Sequence, residues 1–488
     1  MTARRGALLS IDLGSTAVKV LIVDVESGRP LALERRTSGP ILSPTSGAFE
    51  QDPNLWWRAI RSAVGDALAA AGPEIEILGI AADGHGPSLV PVREDGSAAS
   101  PALLWRDRRA AGDDEALAAL LGRSGWLLAE LPKARWFLRE RAAAAKETAW
   151  LLSTWDALAF RLSGEAVSSF WNPARSLAPS QRALLLADLG GLDGRALPPE
   201  VAPGMRIGTL RAQAANDLGL PIGIPIVAGT NDGEAAVIGA GLMHPARGVD
   251  VGGAAGGVGI AVERQTADRI VDAVSGRLWS GPAPASFGEI RIVGGALGGT
   301  GLVLDAALSA AVGRGIDPGQ LLEAAASLPL GADGVRVELN GDGPQFVGES
   351  DGSGGLSGEA RRIRAAMEYG ALAVAALLEP ARALGLPLDE MWLSGPATGA
   401  APGLYAAQHE VPRGIPQLRA DLLGAPVVLP RIAEAAAAGS AALAGVGAGR
   451  FASLREAAEL IAVAETRIEP RAENARIAAE LRARARTE

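Results

Sequence analysis

Residues 7–23 read ALLSIDLGSTAVKVLIV, an apolar run, a tight turn and a second apolar run. The apolar residues predict two strands, and the Asp-Leu-Gly-Ser-Thr stretch between them predicts the turn. A similar pattern returns at residues 249–260, which read VDVGGAAGGVGI. In both stretches an Asp lies between apolar residues, and Gly, small residues and another strand follow. We interpret the two stretches as an internal duplication of one strand–turn–strand unit.

The chain around these two stretches alternates between strands and helices, which is typical of α/β proteins. Asp52-Pro53 predicts the start of an amphipathic helix that extends to about residue 71. A chain of 488 residues suits two large domains better than one. The Gly- and Pro-containing stretch at residues 241–248 predicts the boundary, so we expect one domain over residues 1–243 and another over residues 244–488.

Composition excludes several classes of function. With 48% hydrophobic and 21% charged residues, the chain is an ordinary globular protein. A net charge of -9 argues against nucleic acid or an anionic membrane as the main partner. The sequence has no cysteine, which excludes disulfides, thiolate metal sites and a Cys nucleophile. Charged residues interrupt every apolar run before it could span a bilayer, and we expect a cytoplasmic protein.

The turn at residues 12–16 is the first candidate for chemistry. A tight Gly/Ser/Thr turn directs several backbone N–H groups and hydroxyls one way, which makes a nest for phosphate oxygens. Asp12 supplies the type of oxygen ligand that Mg²⁺ prefers. Taken alone, the same pattern also fits an ordinary β-hairpin with a surface Asp.

Asp232 is the second candidate. An apolar strand over residues 224–228 leads into Gly229-Thr230-Asn231-Asp232-Gly233, and a helix of small residues follows. A carboxylate in such a place can accept a substrate hydroxyl proton during attack on a γ-phosphate. Taken by itself, the segment is better explained by a helix N-cap, a position that suits Asp.

Two further segments could line a pocket for a polyol. Asp83-Gly84-His85-Gly86 follows a predicted strand at residues 77–81, and His85, which we expect to be exposed, could hydrogen-bond a sugar hydroxyl. Leu104-Trp105-Arg106-Asp107 combines an aromatic ring with a carboxylate. The alternatives are a structural loop histidine, and a Trp that covers a domain edge beside a solvated ion pair.

The order of these motifs resembles that of the FGGY carbohydrate kinases over nearly the whole chain. Residues 11–16 with Lys19 are similar to the family's first phosphate loop, and residues 79–86 to a xylulokinase-type substrate loop. Residues 228–241 resemble the family's catalytic strand–Asp–helix. The other matching segments are Glu50-Gln51-Asp52-Pro53 with Trp56-Trp57, Leu104-Trp105-Arg106-Asp107, Leu131-Pro132-Lys133, Asp156 with Leu162-Ser163-Gly164-Glu165, and Glu434-Ala435-Ala436-Ala437.

The resemblance implies two ribonuclease H-like (actin-like ATPase) domains with a central interdomain cleft. The N-terminal domain would bind the sugar, and the C-terminal domain would bind mainly the nucleotide. The implied reaction is ATP-dependent phosphorylation of a hydroxyl on a small sugar or polyol, most nearly a xylulose-like ketose, with Asp232 as general base. Mg²⁺ is expected at Asp12 and Asp232, and a homodimer is suggested.

The resemblance also implies which residues contact the ligands. The expected substrate-binding residues are Gly84, His85, Trp105, Asp107, Asp232 and Gly233. The expected nucleotide-binding residues are Gly14, Ser15, Thr16, Lys19, Gly253, Ala254, Gly298, Gly299, Gly395, Pro396 and Ala397.

The chain departs from the family at several of these positions. Gly253-Ala254-Ala255 stands where the family usually has Gly-Thr-Ser, and Pro396 removes a backbone donor from the adenosine loop. Asp83-Gly84 replaces the Gln and Met of xylulokinases. These departures favour considering a second function, that of a catalytically weak relative that binds sugar or nucleotide as a sensor or partner protein. An actin-like ATPase that acts on protein fits the fold but not the sugar-loop motifs.

Overall fold

A computed structural model describes residues 4–170, 175–189, 197–252, 256–274, 278–340, 343–348, 355–395 and 414–485. The chain forms two compact units. The first contains Met1–Gly239 and Ala436–Ile461, and the second contains Ala240–Ala435 and Ala462–Glu488. The sequence predicted one boundary after residue 243, and it did not anticipate that a late segment joins the first unit. The division of functions between the two domains stays a prediction.

The elements up to Gly239 lie in the first unit. The strands are β1 (Arg5–Leu13), β2 (Ala17–Asp24), β3 (Pro30–Thr37), β4 (Glu50–Gln51), β5 (Ile75–Gly84), β6 (Val90–Val92), β7 (Ala102–Leu103), β8 (Trp150–Leu152), β9 (Ser168–Ser169), β10 (Glu200–Val201), β11 (Arg206–Thr209) and β12 (Pro225–Asn231). The helices are α1 (Pro53–Ala71), α2 (Ala111–Leu121), α3 (Leu131–Glu140), α4 (Ala142–Glu147), α5 (Thr154–Ser163), α6 (Pro179–Asp188), α7 (Ala212–Leu218) and α8 (Asp232–Gly239).

The later elements belong to the second unit, apart from two helices that return to the first. The strands are β13 (Arg247–Val251), β14 (Gly257–Glu263), β15 (Trp279–Pro282), β16 (Ile290–Ala296), β17 (Arg336–Asn340), β18 (Gly343–Val347), β19 (Glu390–Ser394), β20 (Val427–Pro430) and β21 (Ala464–Ile468). The helices are α9 (Arg264–Ala273), α10 (Thr300–Gly313), α11 (Pro318–Ala326), α12 (Leu356–Ala383), α13 (Gly414–Leu423), α14 (Ala435–Gly447), α15 (Leu454–Ile461) and α16 (Ala475–Ala485). The returning helices are α15 and, from Ala436 onward, α14.

The first unit is built on a six-stranded sheet in the order β11-β12-β5-β1-β2-β3. β1 and β2 form the antiparallel pair that residues 7–23 predicted, while β1, β5 and β12 run parallel to one another. Asp52 caps α1 by accepting from the Asn54 N–H at 2.9 Å, as the sequence predicted. Trp56, Ile60 and other apolar residues of α1 belong to the core that covers this sheet.

The second unit repeats this arrangement. Its seven-stranded sheet has the order β15-β16-β14-β13-β19-β20-β21. β13 pairs antiparallel with β14 and parallel with β19, as β1 pairs with β2 and β5. β20 runs parallel to β19 and antiparallel to β21, as β12 pairs with β5 and β11. The predicted duplication of the strand–turn–strand unit is therefore confirmed, and it extends to most of each sheet.

The returning helix α14 packs closely within the first unit because its contact positions are small. A Cβ atom at Gly79 on β5 would lie 2.9 Å from the carbonyl oxygen of Ala444. A Cβ atom at Gly445 would collide with Phe451 and lie 3.0 Å from Cδ1 of Leu8. This close approach brings side chains of α14 to the sheet edge where β5 ends.

Among the helices in the described ranges, none has the length and apolar character that crossing a bilayer requires.

Candidate active site

Three aspartates gather at one edge of the first sheet. Asp12 lies near the end of β1, Asp83 near the end of β5, and Asp232 directly after β12. Asp12 and Asp83 are register partners, and Thr230 of β12 is the partner of Asp83. Because the three strands are parallel, their carboxyl ends meet at this edge, where ligands of open α/β sheets commonly bind.

Hydrogen bonds to its carbonyl oxygens fix the predicted phosphate turn in place. Ser38 Oγ donates to the Gly14 carbonyl at 2.6 Å, and Gln51 Nε2 donates to the Ser15 carbonyl at 2.9 Å. The Ser38 N–H donates to the Thr16 carbonyl at 3.0 Å. A peptide whose carbonyl points into the protein turns its N–H the other way, so this anchoring suits an anion nest.

Lys19 brings a positive charge to the same edge. Its Nζ donates to Oδ2 of Asp12 at 2.8 Å, and the two residues are partners in the β1–β2 ladder. Asp12 is buried, whereas Lys19 keeps some exposed surface. The pair sets a cation and an anion next to the predicted phosphate turn.

Asp232 is the first residue of α8, and the N-cap that the sequence offered for Asp232 falls instead on Asn231, whose Oδ1 accepts from the Gly233 N–H at 2.9 Å. Oδ1 of Asp232 also accepts from that N–H, at 2.8 Å. The second carboxylate oxygen is not used in that contact. Although Asp232 keeps some exposed surface, desolvation and then the negative charge of Asp12 raise its pKa to about 7. A carboxyl group with such a pKa can take up and release a proton near neutral pH.

Asp83 is the residue to which sequence reasoning assigned no role. It is fully buried, and its Oδ2 accepts from Ser440 Oγ of α14 at 2.7 Å. Its Oδ1 is buried and has no hydrogen-bond partner in the described part of the chain. Burial and the charge of Asp12 raise the pKa of Asp83 well above the usual range of a carboxyl group. The only hint in the sequence was an Asp in place of the Gln of xylulokinases.

His85 is buried, and our expectation of an exposed histidine was wrong. Its ring lies edge-on to Trp56, with 5.6 Å between ring centroids, and Nδ1 lies 2.9 Å from Ser88 Oγ. Burial lowers the pKa of His85 to about 3, so the imidazole is neutral at physiological pH. Nε2 finds no hydrogen-bond partner within the described ranges, and it is the atom that could meet a sugar hydroxyl.

Gly84 and Gly233, also predicted to contact the substrate, lie beside His85 and Asp232 in the chain. A Cβ atom at Gly84 would collide with Thr154 Oγ1, so the Met of xylulokinases would not fit at this position. Gly233 is exposed at the start of α8. Gly84 therefore lets the end of β5 pack closely against Thr154, whereas the exposed Gly233 leaves space beside Asp232.

Asp107 is occupied by structural contacts. It accepts from the Phe49 N–H at 3.0 Å and pairs with Arg109 Nη2 at 2.6 Å. Arg109 also binds Glu50 at 2.6 Å. Trp105 is partly exposed next to this network. The strand β7 before them pairs with β4, which carries Gln51, the residue that anchors the phosphate turn. A direct contact of Trp105 or Asp107 with substrate stays a prediction.

The predicted nucleotide residues of the second unit are described in part. Gly298 and Gly299 have left-handed backbone and precede α10, where the N–H groups of the first helical turn are available to an anion. Gly395 follows β19, also with left-handed backbone, and its N–H donates to the Ala433 carbonyl at 2.7 Å. Gly253, Ala254, Pro396 and Ala397 lie outside the described residues.

The duplicated sheet places Asp250 on β13 in the position of Asp12 on β1. Asp250 is fully buried and forms an ion pair with Arg419 of α13. In the first unit, the basic partner of Asp12 is Lys19, which lies on the adjacent strand β2. Each sheet therefore carries an aspartate with a basic partner, but the basic residue comes from a different element.

The first unit offers carboxylates for a divalent cation, although not a closed cage. Within the described ranges, no group of three or more His, Cys, Asp or Glu residues is arranged to hold a metal. Mg²⁺ usually keeps several waters and binds to one or two carboxylates together with substrate phosphates. The carboxylates of Asp12 and Asp232, at the same edge of the sheet, fit such an open, hydrated site.

The chain is similar to one known family and to several known proteins. Residues 7–239 match the model of the N-terminal domain of the FGGY family of carbohydrate kinases. The glycerol kinase of Thermus brockianus is 30% identical over 483 residues, which cover 91% of this chain and 90% of that protein. The xylulose kinase of Rhodospirillum rubrum has a solved structure that matches with a TM-score of 0.71 and 22% identity, covering 99% of this chain and 98% of that one.

The match to curated xylulose kinases is shorter. The xylulose kinase of Streptomyces rubiginosus is 31% identical over 284 residues, which cover 55% of this chain and 57% of that protein. The chain thus spans about half the length of the curated xylulose kinases that it matches.

Proposed function

The chain belongs to the FGGY family of carbohydrate kinases, with the family's actin-like ATPase fold, and we propose that it transfers the γ-phosphoryl group of ATP to a hydroxyl of a small sugar or polyol. A xylulose-like ketose is the leading candidate for the acceptor. Relatives named xylulose kinase and glycerol kinase support an acceptor that is small and polyhydroxylated. A panel of substrates would identify the sugar and the hydroxyl group that is phosphorylated.

The observation that carries the proposal is the position and environment of Asp232. Its carboxyl group follows the parallel strand β12 at the edge that also carries Asp12 and Lys19. A pKa of about 7 allows the unprotonated carboxylate to accept the hydroxyl proton of the sugar as its oxygen attacks the γ-phosphorus. We assign the role of general base to Asp232.

The sugar would be oriented by groups near this base. His85 Nε2 is buried, neutral and unsatisfied in the described part of the chain, so it can donate to or accept from one sugar hydroxyl, depending on its tautomer. Gly233 is exposed and leaves space for the ligand, and Gly84 would contribute through its backbone, since its Cβ side packs against Thr154. We propose Trp105 and Asp107 as more distant contributors, since the contacts of Asp107 already hold the loop in place.

The phosphates of ATP would be bound by the turn at Gly14, Ser15 and Thr16 and by Lys19. Mg²⁺ would be held by Asp12 and Asp232, and it would neutralise charge on the transferring phosphoryl group. In the second unit we propose Gly298, Gly299 and Gly395, and the predicted residues outside the described ranges, as nucleotide contacts. A cytoplasmic location and a homodimer stay predictions from the sequence.

The test is ADP release by the full chain with Mg-ATP across ketoses, aldoses and polyols. Sugar-dependent release should disappear in Asp232→Ala, while affinity for ATP stays nearly the same, because Asp12, Lys19 and the phosphate turn are all retained. In His85→Ala the KM for sugar should rise more than the KM for ATP. Equal changes in both KM values would contradict the assignment of His85 to the sugar site.

The second candidate, a catalytically weak relative that senses sugar or nucleotide, predicts a different result. Binding of sugar or ATP without release of ADP would favour it. The altered residues at positions 253–255 and 396 would then be the first to restore to the family pattern. Full activity in Asp232→Ala would contradict the proposed base and leave the family membership unaffected.

A further inference from the structure

The first unit contains a cavity of about 80 Å³, whose lining includes none of the three aspartates. Its wall includes Leu128, Glu130, Trp155, Asp156, Phe170 and Arg175. About 10–15 Å³ of such space is enough to hold one water, so the cavity has room for several waters or for a small molecule of similar size.

An acceptor and a donor in this cavity lack partners. Glu130 Oε1 and Arg175 Nε are both buried, and neither has a hydrogen-bond partner in the described ranges. The Arg175 side chain is only 9% exposed, and its Nη2 lies 3.6 Å from Glu130 Oε2. Buried polar atoms in native proteins are nearly always paired with protein, water or ligand. The two atoms therefore indicate an occupant that accepts at one point and donates at another.

Neighbouring aromatic rings fix the guanidinium group. Its central carbon lies 5.1 Å from the ring centroid of Phe170 and 6.0 Å from that of Trp155. Such cation–π contacts orient an arginine without using its N–H groups. The unpaired Nε is thus a positioned donor.

Charge in the wall favours a neutral occupant. An anion would face the carboxyl groups of Glu130, Asp156 and Glu200, and a cation would face the guanidinium groups of Arg175 and Arg182. Asp156 is already satisfied by Ser153 and Ser169. A hydroxyl group both donates and accepts, so a molecule with adjacent hydroxyls can serve Glu130 and Arg175 together.

The cavity is connected to the sugar loop through the start of α5. Trp155 lines the cavity, and its Cζ3 lies 3.0 Å from the place where a Cβ atom at Gly86 would stand. The preceding Thr154 donates from Oγ1 to the His85 carbonyl at 2.8 Å. A molecule that presses on Trp155 would therefore act on the loop that positions His85.

We propose that this cavity binds one small neutral polyol, between glycerol and a pentitol in size, at a site separate from that of Asp232. Glu130 Oε1 accepts from one hydroxyl of the polyol and Arg175 Nε donates to the next. Binding here does not depend on phosphoryl transfer, so the inference goes beyond the proposed reaction.

Saturation-transfer NMR on the full chain without nucleotide tests the proposal, with glycerol, erythritol and xylitol as probes. The double variant Glu130→Leu/Arg175→Met removes both charges together, which avoids leaving either one buried and unpaired. Its affinity for the best probe should fall about tenfold or more, as expected for lost hydrogen bonds to charged groups. Arg36→Met, a change on the exposed side of the same unit, should leave the affinity unchanged.

His85→Ala separates the two sites, because it alters the sugar loop but neither Glu130 nor Arg175. Retention of the binding signal in His85→Ala, with its loss in the double variant, would support the proposal. A wild-type cavity that holds water and no polyol, or equal binding by the double variant, would overturn it. Loss of all polyol binding in His85→Ala would also overturn it, by placing the probe at the sugar loop. Should the double variant fail to fold, Arg175→Lys keeps the positive charge, removes the Nε donor and must weaken binding.

Discussion

Asp12, Asp83 and Asp232 show how the surroundings of one residue type decide its chemistry. Asp12 pairs with Lys19 at 2.8 Å, Asp83 is buried against Ser440, and Asp232 is the first residue of α8, near Asp12. Opposite charge stabilises a carboxylate, whereas burial and like charge favour the protonated acid. We therefore expect Asp83 to hold a proton and Asp232 to exchange one.

The pH dependence of the reaction follows from the pKa of Asp232. Burial and the charge of Asp12 raise that pKa to about 7, and only the unprotonated form can act as a base. We expect kcat/KM for the sugar to rise about tenfold per pH unit up to about pH 7, then level off. In Asp12→Asn the rise should shift to lower pH, because one negative charge is gone. A rate that does not change between about pH 6 and 8 would contradict Asp232 as the base.

His85 should remain neutral in acid. Burial lowers its pKa to about 3, from an ordinary value of 6.5. At a pH between about 3 and 6.5, His85 of the unfolded chain binds a proton, whereas His85 of the folded protein does not. The fold therefore loses up to about 1.4 kcal/mol per pH unit from this group as the pH falls, and the loss is absent above the ordinary value. NMR of the imidazole nitrogens, with His85→Gln for assignment, should show an uncharged ring at about pH 5. A protonated ring there would contradict the burial of His85.

At the scale of elements, the site depends on how closely α14 approaches its neighbours. A Cβ atom at Gly439 would collide with the carbonyl oxygen of Ala235 on α8. The alanine-rich sequence of α14 keeps the rest of that helix narrow. This approach lets Ser440, the next residue, reach Asp83. A packing contact and a contact of the candidate site are therefore neighbours on one helix.

Gly439→Ala should destabilise the protein by about 1–3 kcal/mol, because extra volume in a packed interface forces the backbone to shift. Gly65→Ala is the matched control, since Gly65 lies in α1 with nothing near its Cβ position. That change should stabilise the protein by about 0.4–1 kcal/mol. Urea unfolding monitored by tryptophan fluorescence measures both. Equal effects of the two substitutions would show that the helices are not in close contact.

The sequence predicted those elements whose start or turn is marked by a motif of neighbouring residues. Asp52-Pro53 predicted the start of α1, and the two strand–turn–strand stretches predicted β1–β2 and β13–β14. Contacts between distant parts of the chain left no such signal. Ser440 and Asp83 are 357 positions apart, and the burial of His85 depends on the ring of Trp56. The strand ends that carry Asp12 and Asp232 could thus be predicted, but the residues that pack around them could not.

At the scale of the whole molecule, the first unit is discontinuous in sequence. Its sheet comes from the first half of the chain, yet Ala436–Ile461 completes its packing. Within this segment, a Cβ atom at Gly447 would lie 2.9 Å from the Gly204 carbonyl oxygen and would collide with Val227. Removal of the segment would expose the apolar surface that it covers.

A fragment that ends at residue 243 should therefore fold poorly, although the sequence suggested a domain boundary there. We expect rapid amide exchange and sparse chemical-shift dispersion for residues 1–243 alone. Joining residues 436–461 to residue 239 through a flexible linker should restore slow exchange in β1 and β5. A fragment 1–243 that resists exchange as well as the joined one would show that the late segment is not needed.

Synthesis on the ribosome gives this discontinuity a further consequence. The 196 residues from Ala240 to Ala435 emerge after the first part of the unit and before its last helices. At about 5–20 residues per second, their synthesis takes about 10–40 s. During that time the nascent sheet lacks the helices that cover one of its sides. We expect its exposed apolar surface to bind a chaperone that recognises growing chains.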